Sequence, residues 1–313
     1  MSHDHDHEHD HKHDENGDHD HDHPRDHGAH AVHILYIDPI AGASGDMFLG
    51  ALVDLGVDFD ELKSELAKLA VPGFDLVRSQ AIRRAIAAAK IDVVVEDEEH
   101  PHRHVGDLIK IIDASTLSDI TKARSAAILT KLAEAEAHVH NMPLAQVHLH
   151  EVGGLDCLVD VVGTCIAIEL LDVDAVLSGP VALGTGTVAC AHGRMPVPAP
   201  GTLAILEGFP VRKTVLEGEM TTPTGAAIIA TLATPVLGPL VMIPRATGYG
   251  AGSKDKPQIA NMLRIVLAET EMRFLPDEAI DHDDHDHKHE HDHDHDHGHS
   301  HPHGHKHGHS HTH

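Results

Sequence analysis

The sequence predicts a mixed α/β fold, strands and helices together in one main domain, with disordered His-rich tails at both ends. Three observations carry this. The composition changes abruptly, because 28 of the 36 histidines fall within Met1 to His33 and Asp281 to His313, where His alternates with Asp, Glu, Gly, Ser and Lys. Such stretches hold almost nothing that can be buried. The roughly 250 residues between them suffice for one sizeable core or two small ones. Within that span, short apolar runs intermingle with segments of helical spacing. The domain boundaries follow: a tail over 1–31, an ordered domain over 32–270, and a second tail over 271–313.

Each element has its own signal. "VHILYID", Val32 to Asp38, reads as a strand, "PIAGASG" as a turn, and Asp46 to Leu55 as an apolar helix. A second helix, Asp58 to Leu69, sets Phe59, Leu62, Leu66 and Leu69 on one face and stops at Pro72-Gly73. Phe74–Ser79 and Ile91–Val95 read as strands, the charged "EDEEHPHRH" as a loop, and Val105–Ile112 as a helix. Ser118 caps a long amphipathic helix that runs to about His138, and an apolar helix follows over Leu155–Leu171. Ala175–Leu177 is a strand. Gly179 to Gly201, rich in Gly and Pro, is expected as a long loop or a pair of short strands. Thr222 and Pro223 are the N-cap and first residue of a helix that continues over Thr224–Leu232, and Met262–Ala268 is the last strand.

Charge and composition exclude several functions. A formal net charge of −27 disfavours nucleic acid and anionic membranes as partners. Aromatic residues make up only 2%, with no Trp, so stacking platforms for single strands are absent. The three cysteines, Cys157, Cys165 and Cys190, form no zinc-finger spacing and no CxxC, as expected of free thiols in a reducing compartment. Neither a signal peptide nor an apolar run of about 18 residues is visible, and a cytoplasmic location is expected.

The tails read as metal collectors. Neutral imidazole suits nickel, zinc, copper and cobalt better than calcium or magnesium, and the interleaved carboxylates attract any dication. The irregular, doubled pattern is unlike the uniform His run of an affinity tag.

Within the domain, the densest polar constellation is "VHLHEVGGLDCLVD". His148 and His150 project to one side of an extended segment, and Glu151 follows. Asp156 and Asp160 stack one turn apart on the following helix, where Asp160 is expected to be partly buried. His148, His150, Asp156 and Asp160 are the candidate catalytic residues, and these four with Glu151 are the candidate metal ligands. A purely structural reading has Asp156 complementing the helix N-terminus and Asp160 binding an Arg. His138 and His140 are expected at a helix C-terminus, and His100, His102 and His104 in a metal-attracting loop.

Several turns could hold a phosphate. "IDPIAGASGDM" offers Ser44, Gly45 and Asp46 at a helix start, and "MTTPTGAA" offers Thr221, Thr222 and Thr224 at another. "GYGAGSKDK" adds Gly248, Gly250, Gly252 and Lys254, and "AHGRMPVPAP" adds His192 and Arg194. Together they point to a nucleotide-phosphate substrate. Cys157 and Cys165 are expected in the core.

These segments, "YIDPIAGASGDMFLGALVDLG", "HLHEVGGLDCLVDVVG", "GTGTVACAHGRMPVPAPGT", "TTPTGAA" and "GYGAGSKD" followed by "NMLR", resemble the LarC family of nickel-insertion proteins over about Ile34 to Leu267. The resemblance implies a CTP-dependent nickel insertase, a cyclometallase of the lyase class, in nickel-pincer cofactor biosynthesis and lactate racemase maturation. The implied substrate is pyridinium-3,5-bisthiocarboxylic acid mononucleotide, with nickel placed between its two thiocarboxylate sulfurs and a ring carbon. His148, His150, Asp156 and Asp160 would then hold nickel or take the ring proton. Ser44, Gly45, Asp46, His192, Arg194, Thr222, Thr224 and Lys254 would hold the mononucleotide. Family members continue into a second domain associated with CTP and Mn or Mg, whereas here "RIVLAETEMRFLPDEAID" runs into the His tail. The expected partners are therefore a second polypeptide carrying that C-terminal half and the other lactate racemase maturation proteins. The alternative function is a nickel storage or delivery protein that performs no chemistry.

Overall fold

The computed structural model describes residues 31–95, 104–147, 154–190 and 193–271. Strand β1 (Ala31–Asp38) leads through a tight turn into α1 (Gly45–Leu55), followed by α2 (Phe59–Leu66) and a short 3-10 turn. A hairpin of β2 (Phe74–Arg83) and β3 (Ile86–Val95) comes next, then α3 (Val105–Ala114), the long α4 (Asp119–His140) and α5 (Leu155–Leu170). The chain continues through β4 (Ala175–Ser178), β5 (Val181–Thr185), β6 (Thr187–Cys190), β7 (Gly193–Pro196), α6 (Pro200–Ile205) and β8 (Val211–Glu217). It ends in α7 (Pro223–Leu232), the two-residue β9 (Thr234–Pro235), β10 (Ile243–Ala251) and β11 (Met262–Glu271).

Seven strands form one mixed sheet in the order β2-β3-β10-β11-β1-β4-β9. The last strand pairs antiparallel with the first over its whole length, from Ala31↔Glu271 to Asp38↔Arg264, and β4 adds in parallel on the other side of β1. Side-chain alternation divides the faces. Leu35, Ile37, Leu263 and Ile265 point into the main core under the helices, while Val32, Ile34, Val266 and Ala268 form a smaller cluster covered by Val236, Leu240 and Met242. The mixed α/β expectation is met. Among the described residues no helix is long and apolar enough to cross a membrane.

Local signals place most elements. Ser118 accepts a hydrogen bond from Thr121 N at 3.0 Å, and Thr222 accepts one from Gly225 N at 3.2 Å, so both expected N-caps are present. The long helix α4 runs two residues further than expected and ends in a left-handed Asn141, with His140 Nε2 3.3 Å from Glu136. The terminal-helix reading of His138 and His140 therefore stands.

Other expectations need correction. The stretch "QAIRRAIAAAK" is not a connection between two short strands but the centre of a hairpin, turned by Arg84 and Ala85, both at positive φ. Gly179 to Gly201 holds three strands, not two, and its last residues begin α6. The sequence reading assigned neither β8 nor β10. "GYGAGSKDK" is not simply a phosphate-binding turn, because Gly248 and Gly250 lie within β10 directly under α1. A β-carbon on Gly250 would stand 1.8 Å from the Met47 carbonyl oxygen, and one on Gly248 would stand 2.1 Å from that of Ala51. Those two glycines permit close helix-to-sheet contact, and only Gly252 onward is loop. His104 likewise departs from the metal-attracting loop: it is part-buried at the start of α3, with Nδ1 3.0 Å from the Val147 carbonyl.

Candidate functional site

Three helices begin at one place. The first turns of α1 (Ser44, Gly45, Asp46), α5 (Asp156) and α7 (Thr222, Pro223, Thr224) all line a cavity of about 390 Å³. Their packing needs bare backbone: a β-carbon on Gly225 would stand 2.3 Å from the Ala43 carbonyl oxygen, and Thr222 N donates to that same oxygen at 3.0 Å. The turn after β1 and the start of α7, which are distant in sequence, are thus one assembly. Helix N-termini concentrate unpaired N–H groups and partial positive charge.

Carboxylates occupy the same wall. Asp46, Asp92, Asp156, Asp160 and Glu219 line the cavity together with the hydroxyl of Ser253. Asp46 is tied down on several sides: it accepts from Ser44 Oγ, from its own helix at Met47 N (2.9 Å), and from Ser253 Oγ (2.9 Å). Lys90 of β3 pairs with two of these carboxylates from outside the lining, 2.6 Å from Asp92 and 3.5 Å from Asp46. Asp160, one turn beyond the exposed Asp156, is part-buried, and its Oδ1 is enclosed without a hydrogen-bond partner. Burial drives its carboxyl well above the usual carboxylate range; the charges of Asp46 and Asp156 push the same way, and Lys90 opposes them. A β-carbon on Gly45 would lie 2.2 Å from Asp160 Oδ2, so α1 and α5 touch here through a missing side chain.

A second cavity of about 590 Å³ adjoins the first and shares Ser44, Asp46, Glu219, Thr222 and Ser253 with it. Its far side is the 252–258 loop with Lys254 and Lys256, facing Thr187 and Val188 of β6. Lys256 is half-buried, bonded to the Glu219 carbonyl and to Met220 Sδ; burial lowers its pKa, with Glu219 opposing. Carboxylates thus line both cavities of the cleft, and the second adds the two lysines beside Glu217 and Asp255.

The predicted residues divide into three groups. Ser44, Gly45, Asp46, Asp156, Asp160, Thr222 and Thr224 line the first cavity, and Lys254 lines the second. The Thr222 hydroxyl is occupied as a cap, Thr224 Oγ1 lies 3.6 Å from Cys157 Sγ, and Thr221 is turned away to donate to the Ala182 carbonyl. Arg194 is exposed on β7 and donates to Thr187 Oγ1 at 2.7 Å, next to the cleft rather than in its wall. His148, His150, Glu151 and His192 lie outside the described residues. Among the described residues, no three His, Cys, Asp or Glu side chains stand close enough to share one ion in this arrangement. Burial pushes the Cys157 and Cys165 thiols up to about 12, as expected of core residues.

The sequence reading missed Lys90, Asp92, Glu219 and Ser253. A signal existed for the first two: Lys90 and Asp92 are polar residues two apart in an apolar strand, on the same side of the sheet.

A family model described as "Nickel insertion protein" matches residues 35–296. This chain belongs to the nickel insertion protein family. It is similar to the pyridinium-3,5-bisthiocarboxylic acid mononucleotide nickel insertion proteins of Akkermansia muciniphila, 46% identical over 245 residues, and Geobacillus kaustophilus, 44% identical over 246. These matches cover 76% and 75% of this chain and 60% of each relative. A protein of Dictyoglomus thermophilum is 46% identical over 236 residues, 75% of this chain and 60% of the relative. The chain thus spans about 60% of the length of these relatives. No solved structure matches it. All the residues of the cleft wall named above fall within the family match.

Proposed function

We propose that the cleft inserts nickel into pyridinium-3,5-bisthiocarboxylic acid mononucleotide. The observation that carries this reading is the meeting of three helix N-termini, a carboxylate wall and a lysine-bearing loop in one cleft of a chain from the nickel insertion family. Nickel is the cargo of the reaction. A carbon–nickel bond to the pyridinium ring forms only as the ring proton leaves, so a base must stand beside the metal. Asp156 and Asp160 supply carboxylates in the first cavity, and His148, His150 and Glu151, just ahead of α5 in sequence, complete the proposed ligand and base set. The helix starts at Ser44–Asp46 and Thr222–Thr224, with Lys254, His192 and Arg194, hold the mononucleotide phosphate.

CTP with Mn or Mg is proposed to act through a second polypeptide equivalent to the remaining part of the longer relatives, in a cytoplasmic pathway with the other lactate racemase maturation proteins. The histidine-rich ends favour a second role, as a nickel reservoir, since the 27 imidazoles of Met1–His30 and Asp281–His313 offer many exchangeable sites. The experiment supplies nickel, CTP and the bisthiocarboxylate mononucleotide to the chain with its second half, and follows nickel-bound product at saturating metal. His150→Ala and Asp160→Asn should abolish product, while removal of Met1–His30 and Asp281–His313 should lower metal capacity and leave turnover unchanged. Wild-type rates from both substitutions would overturn the site. If the trimmed chain loses all affinity for nickel and the mononucleotide, storage is the function.

A further inference from the structure

We propose that the β2–β3 hairpin is a docking surface for the chain's own N-terminal segment, Met1–His30, which it holds beside the cleft by charge pairing. The docking rests on charge and chain length alone; its use, to bring metal-collecting imidazoles next to the cleft, rests on the nickel insertion reading.

Among the described strands β2 stands at one end of the sheet order, so the backbone groups along its outer side are open to a further extended segment. Its charge is the reverse of the chain's. From Arg78 to Lys90, "RSQAIRRAIAAAK" holds four cations and no carboxylate, in a chain of net charge −27. Lys90 pairs with Asp46 and Asp92, whereas no ion pair among the described residues involves Arg78, Arg83 or Arg84. Arg78 and Arg84 are exposed, and Ile82 and Ile86 beside the turn are 68% and 45% exposed. Arg83 anchors the turn instead: its Nη2 donates to the Gly252 carbonyl at 2.6 Å, and Gly252 lines the second cavity. A segment bound on the hairpin therefore lies at the side of the cleft. A basic edge strand with apolar side chains selects an acidic segment that can add as a strand.

Met1–His30 has that chemistry and lies outside the described residues. It carries ten carboxylates and two cations. His3, His5, His7, His9, His11 and His13 stand at odd positions, and Asp4, Asp6, Glu8, Asp10 and Asp14 at even ones. Alternate side chains of an extended segment project to opposite sides, so carboxylates turned toward the arginines leave the imidazoles on the other side, open to metal. The reach suffices. β1 stands four strands from β2, roughly 19 Å, and is eight residues long, roughly 26 Å, so the sheet diagonal is about 32 Å. Residues 15–30 alone can extend to about 53 Å. The covalent tether gives the segment an effective concentration on the order of millimolar, an advantage over a separate acidic protein.

The test uses the full chain with labelled isoleucine methyls and a nitroxide on Ser2→Cys, with Cys190→Ser; Cys157 and Cys165 are buried. At about pH 8 the imidazoles are neutral and the segment keeps its negative charge. At low salt the nitroxide should broaden Ile82 and Ile86, assigned by their loss in Ile82→Val and Ile86→Val, at least about threefold more than Ile120, which is 54% exposed on α4. About 1 M NaCl, with a Debye length of about 3 Å, should remove the difference. Arg78→Glu with Arg84→Glu should also remove it, and Arg78→Gln with Arg84→Gln serves if the reversal harms folding. Equal broadening of the three isoleucines, or a preference that survives both salt and the arginine changes, overturns the proposal. Broadening seen only when nitroxide and isotope sit on different chains would make a second copy the occupant, which also overturns it. No nickel or mononucleotide enters the measurement, so its failure and that of the insertase reading are separable.

Discussion

Gly45→Ala places a methyl group where α1 meets α5. The added β-carbon would lie 2.2 Å from Asp160 Oδ2 and 2.5 Å from both Asp160 Cγ and Asp160 Cβ. Ordinary carbon–carbon contact needs about 3.5–4.0 Å, so the overlap exceeds about 1 Å. Rotating Asp160 about χ1 can move Cγ and Oδ2 away but not Cβ, which the α5 backbone fixes. The helices must therefore separate, yet they also meet where a β-carbon on Gly163 would lie 2.9 Å from Leu49 Cδ2, deep in the core. Overpacking of this kind costs about 1–3 kcal/mol. Ala for Gly returns less than about 1 kcal/mol at a helix start. The net expectation is a loss of about 1–3 kcal/mol, read as a lower urea midpoint with unchanged m in far-UV circular dichroism. Asp160→Gly removes both the carboxylate and its β-carbon, so the same Gly45→Ala change should cost at least about 1 kcal/mol less in that background. A Gly45→Ala chain within about 0.5 kcal/mol of wild type, or an equal loss in both backgrounds, would refute the steric account.

Asp160 holds its proton to higher pH in the folded than in the unfolded state, so its contribution to stability is intact in acid and is lost as pH rises above the ordinary carboxylate range. With chelator present, Asp160→Asn should melt higher than wild type at pH 8 and close to it at pH 4.5; parallel melting curves at all pH values would show that burial does not govern this group. Thr222→Ala removes the α7 cap and should cost about 1 kcal/mol in urea unfolding, with Thr222→Ser restoring most of it. Cys157 and Cys165 are buried with thiols pushed up to about 12, so neither should react with a disulfide reagent in the native chain, and both should react in denaturant. Labelling of either in native buffer, mapped by mass spectrometry, would contradict their burial.

What the sequence determines by itself is what short-range physics controls. The seven-residue apolar run after the first tail becomes β1, Ser118 and Thr222 mark helix starts because their hydroxyls satisfy nearby N–H groups, and the four-residue spacing of Asp156 and Asp160 brings both to one cavity. Where local preference conflicts with packing, the reading misses. The Ala-rich "AIAAAK" favours a helix by propensity but forms β3 because it pairs with β2 and its small side chains fit beneath α1. Gly248 and Gly250 carry turn propensity yet sit within β10, where α1 leaves no room for a β-carbon. The cleft depends still more on tertiary structure. Lys90 meets Asp46 from 44 residues away, and Ser253 meets it from 207, contacts that no local periodicity encodes. The sheet order brings β3 beside β10 and under α1, so only the folded chain decides that the carboxylates share a cavity, that Lys90 pairs with two of them, and that Asp160 Oδ1 is left without a hydrogen bond.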